Sequence, residues 1–228
     1  MNERRPLAEA RRVADDIGAA LSPWCDSFQI AGSIRRRAET VKDVEAVAVP
    51  TFAGGGQRTL DGGGARVSQL DVQLEVEIRN GRLKKDEQTK RWGDKYKRLV
   101  HVDSGMVLDL FIVTPPASWG VVLTIRTGPA EFSEALVTLA RRLGMRTHEG
   151  QLWQFIDEGN VPPSARTPDM AHIPFSSSSK ELRLAVQVPT PEELDFFQAL
   201  GLPYFPPEQR GNADSMGEVR RRMQGPTA

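Results

Sequence analysis

The stretch Gly32-Ser33-Ile34-Arg35-Arg36-Arg37-Ala38-Glu39-Thr40-Val41-Lys42-Asp43-Val44-Glu45 carries the residues best suited to chemistry. It reads as a strand end, a Gly-Ser turn, a short basic helix and a strand with two acids. Asp43 and Glu45 are two apart, so on a strand both point to one face. The rest of that strand is apolar (Val44, Ala46, Val47, Ala48, Val49) and belongs inside a sheet. Two acids on one face of such a strand cost folding energy unless a cation meets them, and hard divalent cations take carboxylate oxygens. Gly32 and Ser33 supply backbone N–H groups and a hydroxyl at a helix start. Arg36 adds a cation, a combination that suits phosphate. Metal and phosphate side by side imply nucleotidyl transfer. The competing reading is a solvent-facing strand edge, with Arg35 and Arg37 as a solvated helix turn.

A third acid, Asp109, stands alone in Val107-Leu108-Asp109-Leu110-Phe111-Ile112-Val113. A buried acid in such a run needs a partner. It is the third candidate ligand if its strand lies beside that of Asp43 and Glu45; otherwise it is a strand-end acid bonded to a backbone group. Between Arg82 and Arg98 there are eight Lys or Arg against three Asp or Glu. Lys90, Arg91, Lys95, Lys97 and Arg98 are therefore candidate contacts to a nucleic-acid backbone, with Trp92 or Tyr96 as a stacking surface. A solvated basic hairpin is the alternative.

The elements that must hold these residues are partly legible. Leu7, Ala10, Val13, Ala14, Ile17 and Leu21 recur at helical spacing, and Ser22-Pro23 ends the run. A short strand follows around Phe28 and Ile30. Pro50 to Ala65, with two Gly triplets, reads as a flexible loop. Val67 to Asn80 is ambiguous between strand and helix and is assigned to helix, ended by Gly81. Tyr96 to Val102 and Met106 to Val113 alternate as strands about an Asp103-Ser104-Gly105 turn. Thr127-Gly128-Pro129 precedes a helix bearing Phe132, Leu136, Leu139, Ala140 and Leu143. Met145 to Thr147 and Leu152 to Ile156 form a hairpin around His148-Glu149-Gly150. Ser176 to Ser179 reads as a polar loop. Thr190 caps a further helix, with Pro191 in its first turn and Glu193 completing a capping box. The tail from Gly211 reads as loose.

Thirty basic residues balance thirty acidic ones, so net charge argues for no partner. One cysteine, Cys25, forms no internal disulfide and fits a reducing compartment. Three histidines and one cysteine do not build a Cys/His zinc site. No apolar leader or membrane-length stretch is read, so a cytoplasmic location is expected.

Taken together, the chain resembles the palm and thumb of family X DNA polymerases, in the polymerase beta superfamily of nucleotidyltransferases. The first motif, Gly32 to Glu45, is similar to the family's Gly-Ser, arginine and paired-acid element. Leu108-Asp109-Leu110, followed by Trp119-Gly120-Val121-Val122-Leu123-Thr124-Ile125-Arg126-Thr127-Gly128, is similar to its third-acid strand and the segment closing on the nucleotide. Thr190 to Arg210 resembles the C-terminal segment of bacterial members. The three in this order are more specific than the first alone.

The resemblance implies an α+β fold: a nucleotidyltransferase palm with a mixed β-sheet at residues 1–126, a small α/β thumb at 127–210, and a tail at 211–228. It implies that Asp43, Glu45 and Asp109 hold two Mg²⁺ or Mn²⁺ ions. Gly32, Ser33, Arg36, Arg126, Thr127 and Gly128 would meet the nucleotide. The implied partners are gapped or primed DNA and a dNTP, possibly an NTP, with the protein a monomer. The implied reaction is addition of a nucleotide to a 3′-hydroxyl, as in gap filling and DNA repair. A template-independent transferase acting on RNA or another acceptor is the alternative.

Several positions depart from the family's pattern. Glu45 stands where Asp is usual, Ile125-Arg126 replaces an aromatic pair, and Ser133 replaces an Asn. No lyase domain and no helix-hairpin-helix signature is read, so the grip on DNA is expected to be weak or supplied from elsewhere.

Overall fold

The structure is a computed structural model that describes residues 3–54, 66–89, 91–114, 118–157, 159, 167–176 and 180–225. Residues 1–114 and 115–228 form two compact units.

The first unit is built on a mixed five-stranded sheet. In chain order its elements are β1 (Arg5–Pro6), α1 (Leu7–Leu21), β2 (Cys25–Ile30), α2 (Gly32–Arg35), β3 (Thr40–Val41), β4 (Val44–Pro50), β5 (Phe52–Ala53), β6 (Val67–Ser68), α3 (Gln69–Arg79), β7 (Leu83–Lys85), β8 (Tyr96–His101) and β9 (Val107–Ile112). The large sheet runs in the order β2-β4-β9-β8-β7. Only β4 and β9 pair in parallel; the other neighbours are antiparallel. The expected helix over 67–80 is present, capped by the Ser68 hydroxyl, which accepts from the Asp71 N–H at 3.1 Å.

Strand alternation sorts the side chains. Val44, Ala46, Ala48, Leu99, Leu108, Leu110 and Ile112 pack with the apolar stripe of α1 (Ala10, Val13, Ala14, Ile17, Leu21) and with Leu70 and Leu74 of α3. That face is the core of the unit. The residues between them, including Glu45, Asp109, Arg98 and Tyr96, belong to the opposite face. The Gly-rich part of the expected loop, residues 55–65, lies outside the described residues.

The second unit contains α4 (Trp119–Thr127), α5 (Ala130–Arg142), β10 (Met145–His148), β11 (Gln151–Phe155), β12 (Met170–Pro174), β13 (Leu182–Val188), α6 (Glu193–Ala199) and α7 (Ala213–Gln224). Its antiparallel sheet runs β10-β11-β13-β12. Phe132, Leu136, Leu139, Phe196, Phe197, Leu200, Phe205 and Val219 form its core. The β10–β11 hairpin turns through Glu149 and Gly150, both at positive φ, as a tight two-residue turn requires.

Three expectations are corrected here. Residue 126 falls inside α4, which packs on α6 and so goes with the second unit; the units divide at 114/115. The tail is not loose: Ala213–Gln224 is helical, capped by Asn212, with Ser215 and Val219 buried. The cap of α6 is Glu192, not Thr190. Glu192 and Asp195 form the capping box, while the Thr190 carbonyl accepts from the Gly120 N–H at 3.1 Å. That close approach requires Gly120, because a Cβ there would stand 2.0 Å from the Glu192 carbonyl oxygen.

Candidate active site

Asp43 stands one residue before β4, and the parallel register sets Glu45 directly beside Asp109. The sheet thus brings together the two strands that the sequence nominated. Asp43 has its carboxyl pushed up from the usual range, first by burial and then by the negative charge of Asp109. The cations Lys42, Arg98 and Arg4 work against that rise.

Glu45 and the Gly-Ser turn interlock. The Ala31 N–H donates to the Glu45 carbonyl at 2.8 Å, and Gly32 has φ +59. A Cβ built on Gly32 would lie 1.8 Å from Glu45 Oε2. Gly32 is therefore required twice, for its backbone conformation and for the space that the carboxylate fills. Ser33 lies in the single turn of α2, and Arg36 closes that turn by donating its N–H to the Gly32 carbonyl at 3.1 Å.

Asp109 is almost fully buried and firmly held. The Tyr96 hydroxyl donates to its Oδ1 at 2.5 Å, and Arg98 Nη1 donates to Oδ1 and Oδ2 at 3.1 and 3.3 Å. Arg98 lies opposite Asp109 in the β8–β9 register, and Tyr96 lies opposite Phe111, with ring centroids 5.1 Å apart. On its other side, Arg98 Nε is 3.0 Å from Asp86 Oδ2. Burial pushes Asp86 up, but the Gln88 N–H, the Thr89 hydroxyl and Arg98 outweigh it and hold the acid below its ordinary range.

Asp43, Glu45 and Asp109 suit a hard divalent cation by donor chemistry, since all offer carboxylate oxygens. Among the described residues no three acidic, histidine or cysteine side chains stand at ligand spacing. Asp109 is instead engaged by Tyr96 and Arg98.

The candidate nucleic-acid contacts separate. Lys97 is a core residue: its ammonium pairs with Asp71 at 3.3 Å, donates to the Gly93 carbonyl at 3.0 Å and lies 4.9 Å from the Trp92 ring centre. Trp92 is also met by the Lys85 ammonium at 4.2 Å, so it anchors the segment. Arg98 faces Asp109. Arg91 and Lys95 are exposed, and Lys90 lies outside the described residues. In the second unit Arg126 is exposed on the last turn of α4, whereas Thr127 is fully buried. Ser133 donates to the Ile125 carbonyl at 2.8 Å, a bond internal to that unit.

Sequence reasoning missed the roles of Tyr96, Arg98 and Asp86 around Asp109. A signal existed: counting strand pairs outward from the Asp103-Ser104-Gly105 turn sets residue 98 against 109. Burial and then Asp26 push the Cys25 thiol up to about 12, which disfavours its thiolate. No described helix is long and apolar enough to cross a membrane.

No curated protein matches the chain. Residues 122–211 match the family model of the DNA polymerase beta thumb. The second unit is thus similar to a DNA polymerase beta thumb, which supports a family X polymerase-like protein, and the first unit bears paired acids on a mixed sheet.

Proposed function

We propose that the protein is a minimal nucleotidyltransferase that adds a nucleotide to a DNA 3′-hydroxyl, as in gap filling during repair. Residues 1–114 serve as the palm and the second unit as the thumb. The observation that carries this reading is the pairing of Glu45 with Asp109 beside Asp43, ahead of a polymerase beta thumb match.

Asp43, Glu45 and Asp109 would hold two Mg²⁺ or Mn²⁺ ions. When bound, such ions neutralise the triphosphate and ease ionisation of the attacking hydroxyl. The protein's share is positioning and charge. Glu45, seated against Gly32, fixes the Gly-Ser turn relative to β4, so that Ser33 and Arg36 present a hydroxyl and a cation to the phosphates. Tyr96 orients Asp109 through its Oδ1. Arg126, on the last turn of α4, and Gly128 at the bend that follows are the second unit's candidate nucleotide contacts.

The test is incorporation. Purified protein is incubated with labelled gapped DNA, Mg²⁺ or Mn²⁺, and each dNTP or NTP singly. Extension by the templated nucleotide, lost in Asp109→Asn, is expected. Extension regardless of the gap base, or of an RNA end, supports a template-independent transferase. Full activity in Asp43→Ala, or no incorporation on any acceptor, overturns the assignment.

A further inference from the structure

We infer that Arg98 is an exchangeable counter-ion of Asp109, displaced toward Asp86 when a divalent cation takes up the acid. The inference rests on the metal-site reading above and adds a residue that sets how readily the site fills.

Arg98 is one cation between two carboxylates that it does not serve equally. Its Nη1 donates to both oxygens of Asp109. Its Nε is 3.0 Å from Asp86 Oδ2, yet buried with no hydrogen-bond partner. The contact has the distance of an ion pair without its alignment. Asp86 is prepared to receive more. Its Oδ1 accepts from the Gln88 N–H at 3.0 Å, its Oδ2 from the Thr89 hydroxyl at 3.0 Å, and its own N–H donates to the Arg98 carbonyl at 3.2 Å. The second acceptor is thus fixed in place, with one contact half made.

Space for the shift is present. Arg98 lines a cavity of about 570 Å³, together with Lys85, Asp86, Glu87, Arg91 and Trp92. Tyr96 stays on Asp109 Oδ1, so the carboxylate keeps its orientation when Arg98 leaves. Charge demands the exchange. A buried acid needs a cationic or hydrogen-bonded partner, and Arg98 supplies it until a stronger cation does. Arg98 is therefore a positioning residue acting through Asp109.

Mn²⁺ binding without nucleotide, followed by electron paramagnetic resonance, tests the exchange. The wild type is compared with Arg98→Lys, Arg98→Ala, Asp86→Asn and Asp43→Asn, each checked for folding by circular dichroism. Arg98→Lys keeps the charge but loses the fork, so simple repulsion predicts unchanged affinity. Displacement predicts tighter Mn²⁺ binding in both Arg98 variants, by about fivefold or more, the lower range of coupling between sites. Asp86→Asn should weaken binding, because Arg98 then has nowhere to go. An unmoved or weaker Arg98→Lys, or an unmoved Asp86→Asn, overturns the exchange alone. Wild-type binding in Asp43→Asn would remove the metal site itself, and the exchange with it.

Discussion

Lys97 and Arg98 are adjacent in sequence and serve opposite faces of one sheet. Lys97 enters the core beside Trp92 and Asp71, while Arg98 reaches Asp109 and Asp86. A basic run that reads as one DNA-binding stripe is thus split by strand alternation. Arg82 and Lys85 are exposed but pair with Glu77 and Glu75; the other exposed described cations of the run are Lys84, Arg91 and Lys95. If these and Lys90 meet phosphates, the log–log salt slope on duplex DNA should be roughly −3 to −4. Lys97→Met should leave that slope unchanged and destabilise the fold by about 1–3 kcal/mol, the range for lost charged hydrogen bonds. A slope that flattens in Lys97→Met, but not in the Lys84/Arg91/Lys95 triple alanine variant, would reverse this assignment.

Gly32→Ala should damage both stability and activity. The backbone at φ +59 costs an alanine about 1 kcal/mol, and the Cβ would collide with the Glu45 carboxylate. Glu45 must then leave the Gly-Ser turn. Thermal melting and Mn²⁺ binding measured on one sample separate the two effects. Adding Glu45→Asp should recover part of the steric loss but none of the backbone strain. A Gly32→Ala protein with wild-type melting and activity would show that the interlock does not matter.

Asp43 gives a pH signature. Its carboxyl is raised in the folded protein, by burial first and then by Asp109. Above the folded value the acid is ionised in both states, and its charge opposes folding in full. As pH falls toward the ordinary Asp value, near 3.9, the folded state takes up a proton first and the penalty is relieved. Metal-free Asp43→Asn should therefore melt higher than wild type at pH 7, and the gap should narrow toward pH 4. A constant gap, or a less stable variant, contradicts the shift.

The acid face was legible because its signals are local. Asp43, Glu45 and Asp109 interrupt apolar runs, and period-2 alternation assigns their faces without any long-range information. The partners of Asp109 were not, because they depend on register: Arg98 looked like one cation among eight until strand pairing set it opposite the acid. The caps show the same divide. Thr190-Pro191 satisfies the local rule for a helix start, but the Thr190 carbonyl is taken by Gly120, seventy residues away, and the cap moves to Glu192. Helix α7 reads as a loose tail in sequence because its exposed face is rich in Arg. Its burial rests on Val219 and Ser215, which carry little periodic signal.

The second unit is held by a buried ion pair that can be tested directly. Arg210 Nη1 donates to Glu193 Oε1 at 2.6 Å, and Arg210 Nε to the Phe205 carbonyl at 2.9 Å. The guanidinium lies 5.2 Å from the Phe197 ring centre and 5.7 Å from that of Tyr204. Both partners are buried, so removing one leaves a charge without compensation. Arg210→Ala or Glu193→Ala should each cost about 3–5 kcal/mol in urea denaturation. Arg210→Lys should lose much of that too, because an ammonium cannot hold the planar fork that reaches Glu193 and Phe205 together. The double variant Glu193→Leu/Arg210→Met, which keeps volume and removes both charges, should cost clearly less than the sum of the single alanine losses. Strictly additive losses would mean that the two residues stabilise the unit independently and that the pair is not the unit of stabilisation.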